Sequence, residues 1–542
     1  MSKTYLNIFY FIYIFILGLF IFLLINLFGN IQFTGMDGGV LVNSAYMGFL
    51  DYRPYQDFIT AVPPAFLIGG KLAMLIFGLY WNSLVIMSAL YAVITFIILA
   101  IILNKIGFSK PWSLLIAFYC ESVVMIMKSF WYYNEITIIT GLLFISAAFL
   151  LYQKHRSFFN QLIFVILTTM VLLMKINIAA PLVFFIYMFF LINNKIPKKL
   201  SAVLLFMSVL LLLIILGLFK INIVDLINNY LQSSSRTFSI HAWKYNLFIG
   251  FPWEVKETFI ITIPILLVFL FILIDSWKIK LFKQKNLSAI CFSSISILIG
   301  LIALGTNNDV NLVDETFVIL GASFFIWFWK DKTQNKVLRT IALSCLAGTM
   351  VFFSLLGIYK GMTRISLQET SIDLAKEGNA YFYDGSSSVR PLSKLTGYNF
   401  FKTLDGSQKL KKTLQQISFV INNISDKKSQ LKEAILFGPR IDFAYAVYSV
   451  KPPKGLPLWW EAYSDDSQEA TKKMVRAFED KKIKVGIYVN DNDGYSFPFY
   501  PSELINYFTN QYDVYYFSEL KVYVLKNDQT LDVLRQSLKK FN

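Results

Sequence analysis

"TGMDGGVLVNSAYMGFLDYRPYQDFITAVPPAF", Thr34 to Phe66, stands between two apolar stretches, and its side of the membrane sets the layout of everything after it. Before it comes Leu6–Phe28, apolar throughout and flanked only by Lys3. No small-residue cleavage site precedes Gly29-Asn30, so this stretch reads as a retained transmembrane helix and not a signal peptide. After it comes Ala65–Tyr80, which is short and broken by Gly69-Gly70-Lys71. A hydrocarbon core of about 30 Å needs roughly 20 apolar residues of helix. Whether Ala65–Tyr80 is counted as a span decides the side of every later loop.

Further apolar stretches cover 83–103, 112–128, 136–152, 161–174, 178–192, 200–219, 259–274, 288–305, 316–329 and 340–358. With the N-terminus inside and Ala65–Tyr80 left out, the inside segments hold sixteen basic residues. These are Lys3, Lys105, Lys110, Lys154, Arg156, Lys195, Lys198, Lys199, Lys278, Lys280, Lys283, Lys285, Lys330, Lys332, Lys336 and Arg339. Against them stand two acids, Asp275 and Asp331. That is the positive-inside bias repeated over six segments. Counting Ala65–Tyr80 as a span would turn all these charges outward, so it reads as a helix lying along or dipping into the outer leaflet. Eleven spans result, with Thr34–Phe66 and the C-terminus outside.

The 542 residues are 56% hydrophobic and 17% aromatic, which excludes an ordinary soluble globular protein. Behind the net charge of +16, basic residues gather in the inside loops, a placement that argues against a nucleic-acid partner. The expected fold is a polytopic α-helical membrane protein, about 11 spans plus outer-surface juxtamembrane helices, with a C-terminal α/β domain outside. The transmembrane domain takes residues 1–359, its first external loop 30–82, and the extracytoplasmic domain 360–542. In that second domain "EAILFG", "KVGIYV", "DVYYF" and "KVYVL" read as strands, and 408–422 and 465–482 as helices. Cys120, Cys291 and Cys345 are far apart inside apolar stretches, and only His155 and His241 are present. No disulfide framework and no His-based metal site is expected.

The unusual polar residues gather in the outside loops. Asp37, between Met36 and Gly38-Gly39, suits a general base near the membrane or an N-cap for a helix over 38–50. "DYRPYQDF" turns through Pro54 and presents Arg53 and Asp57, either as functional groups or as a surface turn with a local ion pair. Lys175 interrupts "LLMKINIA", where a charge is costly unless solvated or paired. It reads as a functional cation or as a snorkelling interfacial lysine. Arg236 in "YLQSSSRTF" has hydroxyl neighbours that suit phosphate oxygens, or is a solvated loop residue; Lys71 suits general contact with lipid phosphate. In "KSFWYYNEIT" (Lys128–Thr137), Glu135 is a second acid, while Trp131, Tyr132 and Tyr133 suit sugar stacking or an interfacial aromatic belt. Asp309, Asp314 and Glu315 in "GTNNDVNLVDE", the last outside loop before the C-terminal domain, are placed to border the same cavity.

An acid just past the first span, an amphipathic helix ending in glycine, then "RPYQDF" and "PP" before another apolar helix resembles the opening of GT-C glycosyltransferases. It is most similar to the branch with protein O-mannosyltransferases and lipid A aminoarabinose transferases. The detailed match covers about 30 residues, and "LFGPRIDFAYAVYSVKPPKGLPLWW" (Leu436–Trp460) resembles the C-terminal domain of such enzymes. The resemblance implies inverting transfer of a sugar from a polyprenyl-phosphate donor to an acceptor hydroxyl of a lipid, glycan or protein. It places the reaction on the outer face of the cell membrane and implies Asp37 as the base. It also implies Asp57 and Glu135 in acceptor positioning, with Lys175, Arg236 and Arg53 available for the donor phosphate. Family members often carry Asp-Glu where Asp37-Gly38 stands, which leaves metal dependence open. No other cofactor is expected. A lipid-diphosphate polymerase or ligase would place its large polar region in a later loop. A transporter or flippase would show paired helix breaks and charges near the bilayer middle.

Overall fold

The computed structural model describes residues 3–30, 35–60, 62–126, 129–193, 195–237, 271–272, 274–276, 287–306, 315–362, 408–424, 435–438, 441–457, 475–476, 478–480, 483–490 and 502–540. Six helices are long and apolar enough to cross a membrane: Asn7–Gly29, Trp81–Ile106, Tyr133–Gln153, Ile176–Asn193, Lys198–Leu218 and Lys336–Tyr359. Pro64–Phe77, Phe158–Leu172, Ser288–Ala303 and Thr316–Trp329 are apolar but shorter. The stretch 112–128 is a short helix, Lys110–Glu121, continued by a π turn over Ser122–Ile126. The expected span 259–274 lies almost wholly outside the described residues. Outward faces stay apolar, with Phe15 70%, Phe158 77%, Ile192 71% and Leu218 74% exposed. Water disfavours such a continuous apolar surface, and lipid tails match it.

In chain order the first elements are α1 (Lys3–Gly29), α2 (Gly35–Phe49), α3 (Pro64–Phe77), α4 (Trp81–Ile106), α5 (Lys110–Glu121) and α6 (Tyr133–Gln153). The Trp81 indole N–H donates to the Gly29 carbonyl at 2.9 Å. The end of α1 and the start of α4 therefore lie at the same end of the bundle. The segment between them makes no net crossing, and the 14 residues of α3 reach only about 21 Å. Gly70 brings α3 against Ala45 of α2, and Pro64 at its first turn suits a helix start. The inner face of α3 is buried through Phe66, Leu67, Gly69, Ala73 and Met74, so it packs into the protein and does not simply lie along a leaflet.

The hub is α6, buried from Asn134 to Tyr152. A helix apolar all round belongs in such a place, and Gly141 lets Phe317 approach its backbone. The chain continues through α7 (Phe158–Leu172), α8 (Ile176–Asn193), α9 (Lys198–Leu218), α10 (Ile223–Thr237), α11 (Leu287–Thr306), α12 (Glu315–Trp329) and α13 (Lys336–Met362). Cys120, Cys291 and Cys345 are free.

The C-terminal part forms a small sheet in the order β2 (Ile435–Phe437), β4 (Val485–Val489), β6 (Leu520–Leu525), β5 (Tyr512–Tyr516). The first pairing is parallel and the other two antiparallel. All four expected strands are present. Strand alternation splits the side chains between two faces. Ile435, Phe437, Val485, Ile487, Val522 and Val524 lie in one buried cluster with Leu414 and Ile417 of α14 (Gln408–Ile424). Leu436, Tyr488, Tyr512 and Tyr523 lie in another with Phe508 of the helix Ser502–Gln511. The expected helix over 465–482 lies mostly outside the described residues. Two residues of the first loop, β1 (Phe58–Ile59), pair in parallel with β3 (Leu456–Pro457), so the C-terminal part is stitched to the loop that opened the sequence.

Candidate active site

Four connecting segments meet at the end of the bundle where α1 stops. The Ala65 N–H donates to the Leu173 carbonyl at 3.0 Å, tying the start of α3 to the turn between α7 and α8. The Trp131 indole donates to the Phe66 carbonyl at 3.1 Å, and the Asn229 amide of α10 to the Thr60 carbonyl at 2.7 Å. Lys175 closes the ring. Its ammonium donates to Asn134 Oδ1 at 3.2 Å and its backbone N–H to Thr137 Oγ1 at 3.3 Å, both on the first turns of α6.

Lys175 sits directly before α8, and its carbonyl accepts from Ile178 and Ala179. The N-terminus of a helix carries a partial positive charge. A lysine there adds to that field instead of neutralising it, so the pair makes a place for an anion. The ammonium also lies 5.7 Å from the centre of the Tyr133 ring, and Glu135 follows within the same turn of α6, 2% exposed. Sequence reasoning singled out Lys175 and Glu135. It missed Asn134 and Thr137, which hold the lysine, because nothing in "YNEIT" signals a partner about 40 residues away.

Asp37 is the third residue of α2, which starts at Gly35. The N-cap expected for a helix over 38–50 is thus displaced: Asp37 belongs to the first turn of the helix. Arg236 lies in the last turn of α10, two turns beyond Asn229. The side chains of Asp37 and Arg236 lie outside the described residues, as do Asp309 and Asp314 entirely. Glu315 is the first residue of α12.

Asp57 departs from the surface-turn reading. It is 7% exposed. Its Oδ2 accepts from the Arg53 N–H at 2.9 Å and from the Lys454 ammonium at 3.2 Å, and its Oδ1 from the Arg53 guanidinium at 3.4 Å. Its carbonyl accepts from the Gly455 N–H at 2.6 Å. The Tyr52 hydroxyl donates to the Pro452 carbonyl at 3.0 Å, and Lys454 lies over the Tyr52 ring at 4.7 Å. Arg53 is half-exposed and turned to this clamp. Burial pushes the Asp57 carboxyl up, but the Arg53 donors and the Lys454 ammonium outweigh it and hold the group below the ordinary carboxylate range. A carboxyl depressed in the folded state stabilises above its unfolded value and loses that contribution as pH falls through its folded value. Acidification below the ordinary 3.8 is therefore expected to release the first-loop turn from 452–457, read as faster backbone exchange at 57–59 and 455–456. Asp57→Asn is expected to cost about 1–2 kcal/mol of thermal stability at neutral pH, the cations being half-exposed.

Lys71 and Lys220 both pair with Asp51, holding its carboxyl at about 2, so Lys71 is engaged at the end of α2. Trp131 and Tyr132 are 4% and 2% exposed. Burial of both rings fits neither the sugar-stacking nor the aromatic-belt reading, and Trp131 packs against Gly69, where any Cβ would collide with its ring. Among the described residues no three His, Cys, Asp or Glu side chains gather as a metal site.

Neither a protein-family model nor a curated protein matches the chain. Solved structures do. The oligosaccharyltransferase of Archaeoglobus fulgidus in its apo form is 11% identical at a TM-score of 0.43, over 94% of this chain and 75% of that one. The same archaeal enzyme, AglB, in complex with an inhibitory peptide and a dolichol-phosphate gives 11% and 0.43, over 94% and 74%. Its complex with zinc and sulfate gives 10% and 0.40, over 93% and 73%. At TM-scores this low the likeness carries no argument about activity.

Proposed function

We propose that this chain is a GT-C glycosyltransferase of the cell membrane. It takes a sugar from a polyprenyl-phosphate donor and passes it, with inversion, to an acceptor hydroxyl on a lipid, a cell-envelope polysaccharide or a protein. The supporting observation is the anchored Lys175 at the N-terminus of α8, in a ring of segments that includes the first loop. It offers a fixed ammonium, in the positive field of a helix N-terminus, to a lipid phosphate at membrane depth. Asp37, in the first turn of α2, takes the acceptor proton as the sugar leaves the phosphate. Arg236 adds charge from α10. Glu135 orients the acceptor, and Asp57 holds the first loop to the C-terminal domain. In this reading the site faces outside, with the N-terminus in the cytoplasm and eleven spans, which the lysine and arginine distribution supports.

Outside a cell no nucleotide sugar is available, so a lipid-linked donor is the activated form at hand. Purified protein in proteoliposomes is expected to transfer labelled sugar from a polyprenyl-monophosphate donor to a membrane-extract acceptor and to release polyprenyl phosphate. Transfer only from diphosphate-linked donors would replace this reading with a polymerase or ligase. No transfer from either class, with lipid movement across the bilayer instead, would replace it with a flippase.

A further inference from the structure

One aspartate of the C-terminal part reaches the helix that carries Asp37. Asp442 lies just before the short helix α15 (Ala444–Val447), which packs on α2. A Cβ at Gly39 would collide with Asp442 Oδ1, so glycine alone lets this carboxyl rest on the α2 backbone. Asp442 is 4% exposed, and among the described residues neither of its oxygens has a hydrogen-bond partner. Asn43, one turn along α2 from Gly39, is 2% exposed, and its Oδ1 has none either. The backbone N–H groups of Asp442 and Phe443 and the Asn43 side chain stand near enough to favour the charged carboxyl, none completing a full hydrogen bond, and burial outweighs them. Buried acceptors left open are costly, and a chain keeps such an arrangement where it does something.

We propose that Asp442 is a positioning residue for the transfer site: seated over Gly39 and beside Asn43, it fixes the first turn of α2, and with it Asp37 two residues earlier.

Burial pushes the Asp442 carboxyl up to about 8, so at neutral pH it holds its proton. A neutral carboxylic acid both donates and accepts. Its O–H supplies the donor that Asn43 Oδ1 lacks, and the surplus of acceptors becomes a link between α2 and the C-terminal part. The proposal gives that part a task in the reaction, and it rests on the reading of Asp37 as the base.

The test compares Asp442→Ala, Asp442→Asn and wild type, all full length and reconstituted. Asparagine has the shape and polarity of the neutral acid; alanine leaves a gap. Asp442→Ala is expected to lower kcat about 10²-fold, the effect of displacing a reacting group by about 1 Å, with the donor KM unchanged. Asp442→Asn is expected to restore most of it. In the same samples, hydrogen exchange at 35–43 is expected to rise about tenfold in Asp442→Ala and stay near wild type in Asp442→Asn. Wild-type kcat in Asp442→Ala, or a raised donor KM with unchanged kcat, would overturn the proposal. So would equal loss in both folded variants. If wild type transfers no sugar, the functional reading fails on its own, and exchange at 35–43 still decides whether Asp442 fixes the helix.

Discussion

Asp37→Asn is expected to reduce sugar transfer by about 10²- to 10⁴-fold, the loss that follows removal of a general base. Asparagine keeps the size and polarity of the side chain and removes only its ability to take a proton. The first turn of α2 contains Gly35, Gly38 and Gly39, so its order comes from packing against α15 and not from helix propensity. The substitution leaves those contacts in place. Donor binding and thermal stability should therefore stay at wild-type values while kcat falls. Normal transfer by the folded variant would assign the base elsewhere, and Glu135 and Asp57 would be the next residues to replace.

The second large effect is expected at Lys175. Lys175→Met keeps the apolar stem and removes the charge. Transfer should fall about 10²- to 10³-fold, the usual cost of deleting one group aimed at developing charge, and the donor KM should rise with it. Asn134 would lose the ammonium as a hydrogen-bonding partner while Thr137 keeps the backbone N–H, so unfolding temperature is measured in parallel. An unchanged donor KM would mean that the lysine only snorkels to the interface, the simpler of its two sequence readings.

The sequence made the strands and long helices legible because each rests on local periodicity. The apolar stretches reappear as helices wherever they are described, and "KVGIYV" and "KVYVL" pair as β4 and β6. What it hid depends on contacts between distant segments. "DYRPYQDF" is short and polar and reads as a surface turn, yet residues 452–457 cover it almost four hundred positions later and bury Asp57. Trp131 has the composition of an interfacial belt, but the bare Cα of Gly69 draws it into the core. Asp37-Gly38-Gly39 has the pattern of a cap and a helix start. The helix begins earlier, at Gly35, and Gly39 serves a close approach by Asp442, a use of glycine that spacing does not distinguish from a turn. Asp442 is one acid in an apolar run, and only its burial against α2 marks it.

The central claim is that a lipid-linked sugar phosphate binds at the N-terminus of α8, beside the first turns of α6. A polyprenyl-phosphate sugar carrying a diazirine beside the phosphate, photolysed in proteoliposomes with wild-type protein, tests it most directly. Adducts are expected in peptides covering 35–49, 129–137 and 173–179, and to disappear when unlabelled donor is in excess. Adducts confined to the lysine-rich segments at the other end of the bundle, around 104–110 and 154–156, would contradict the account.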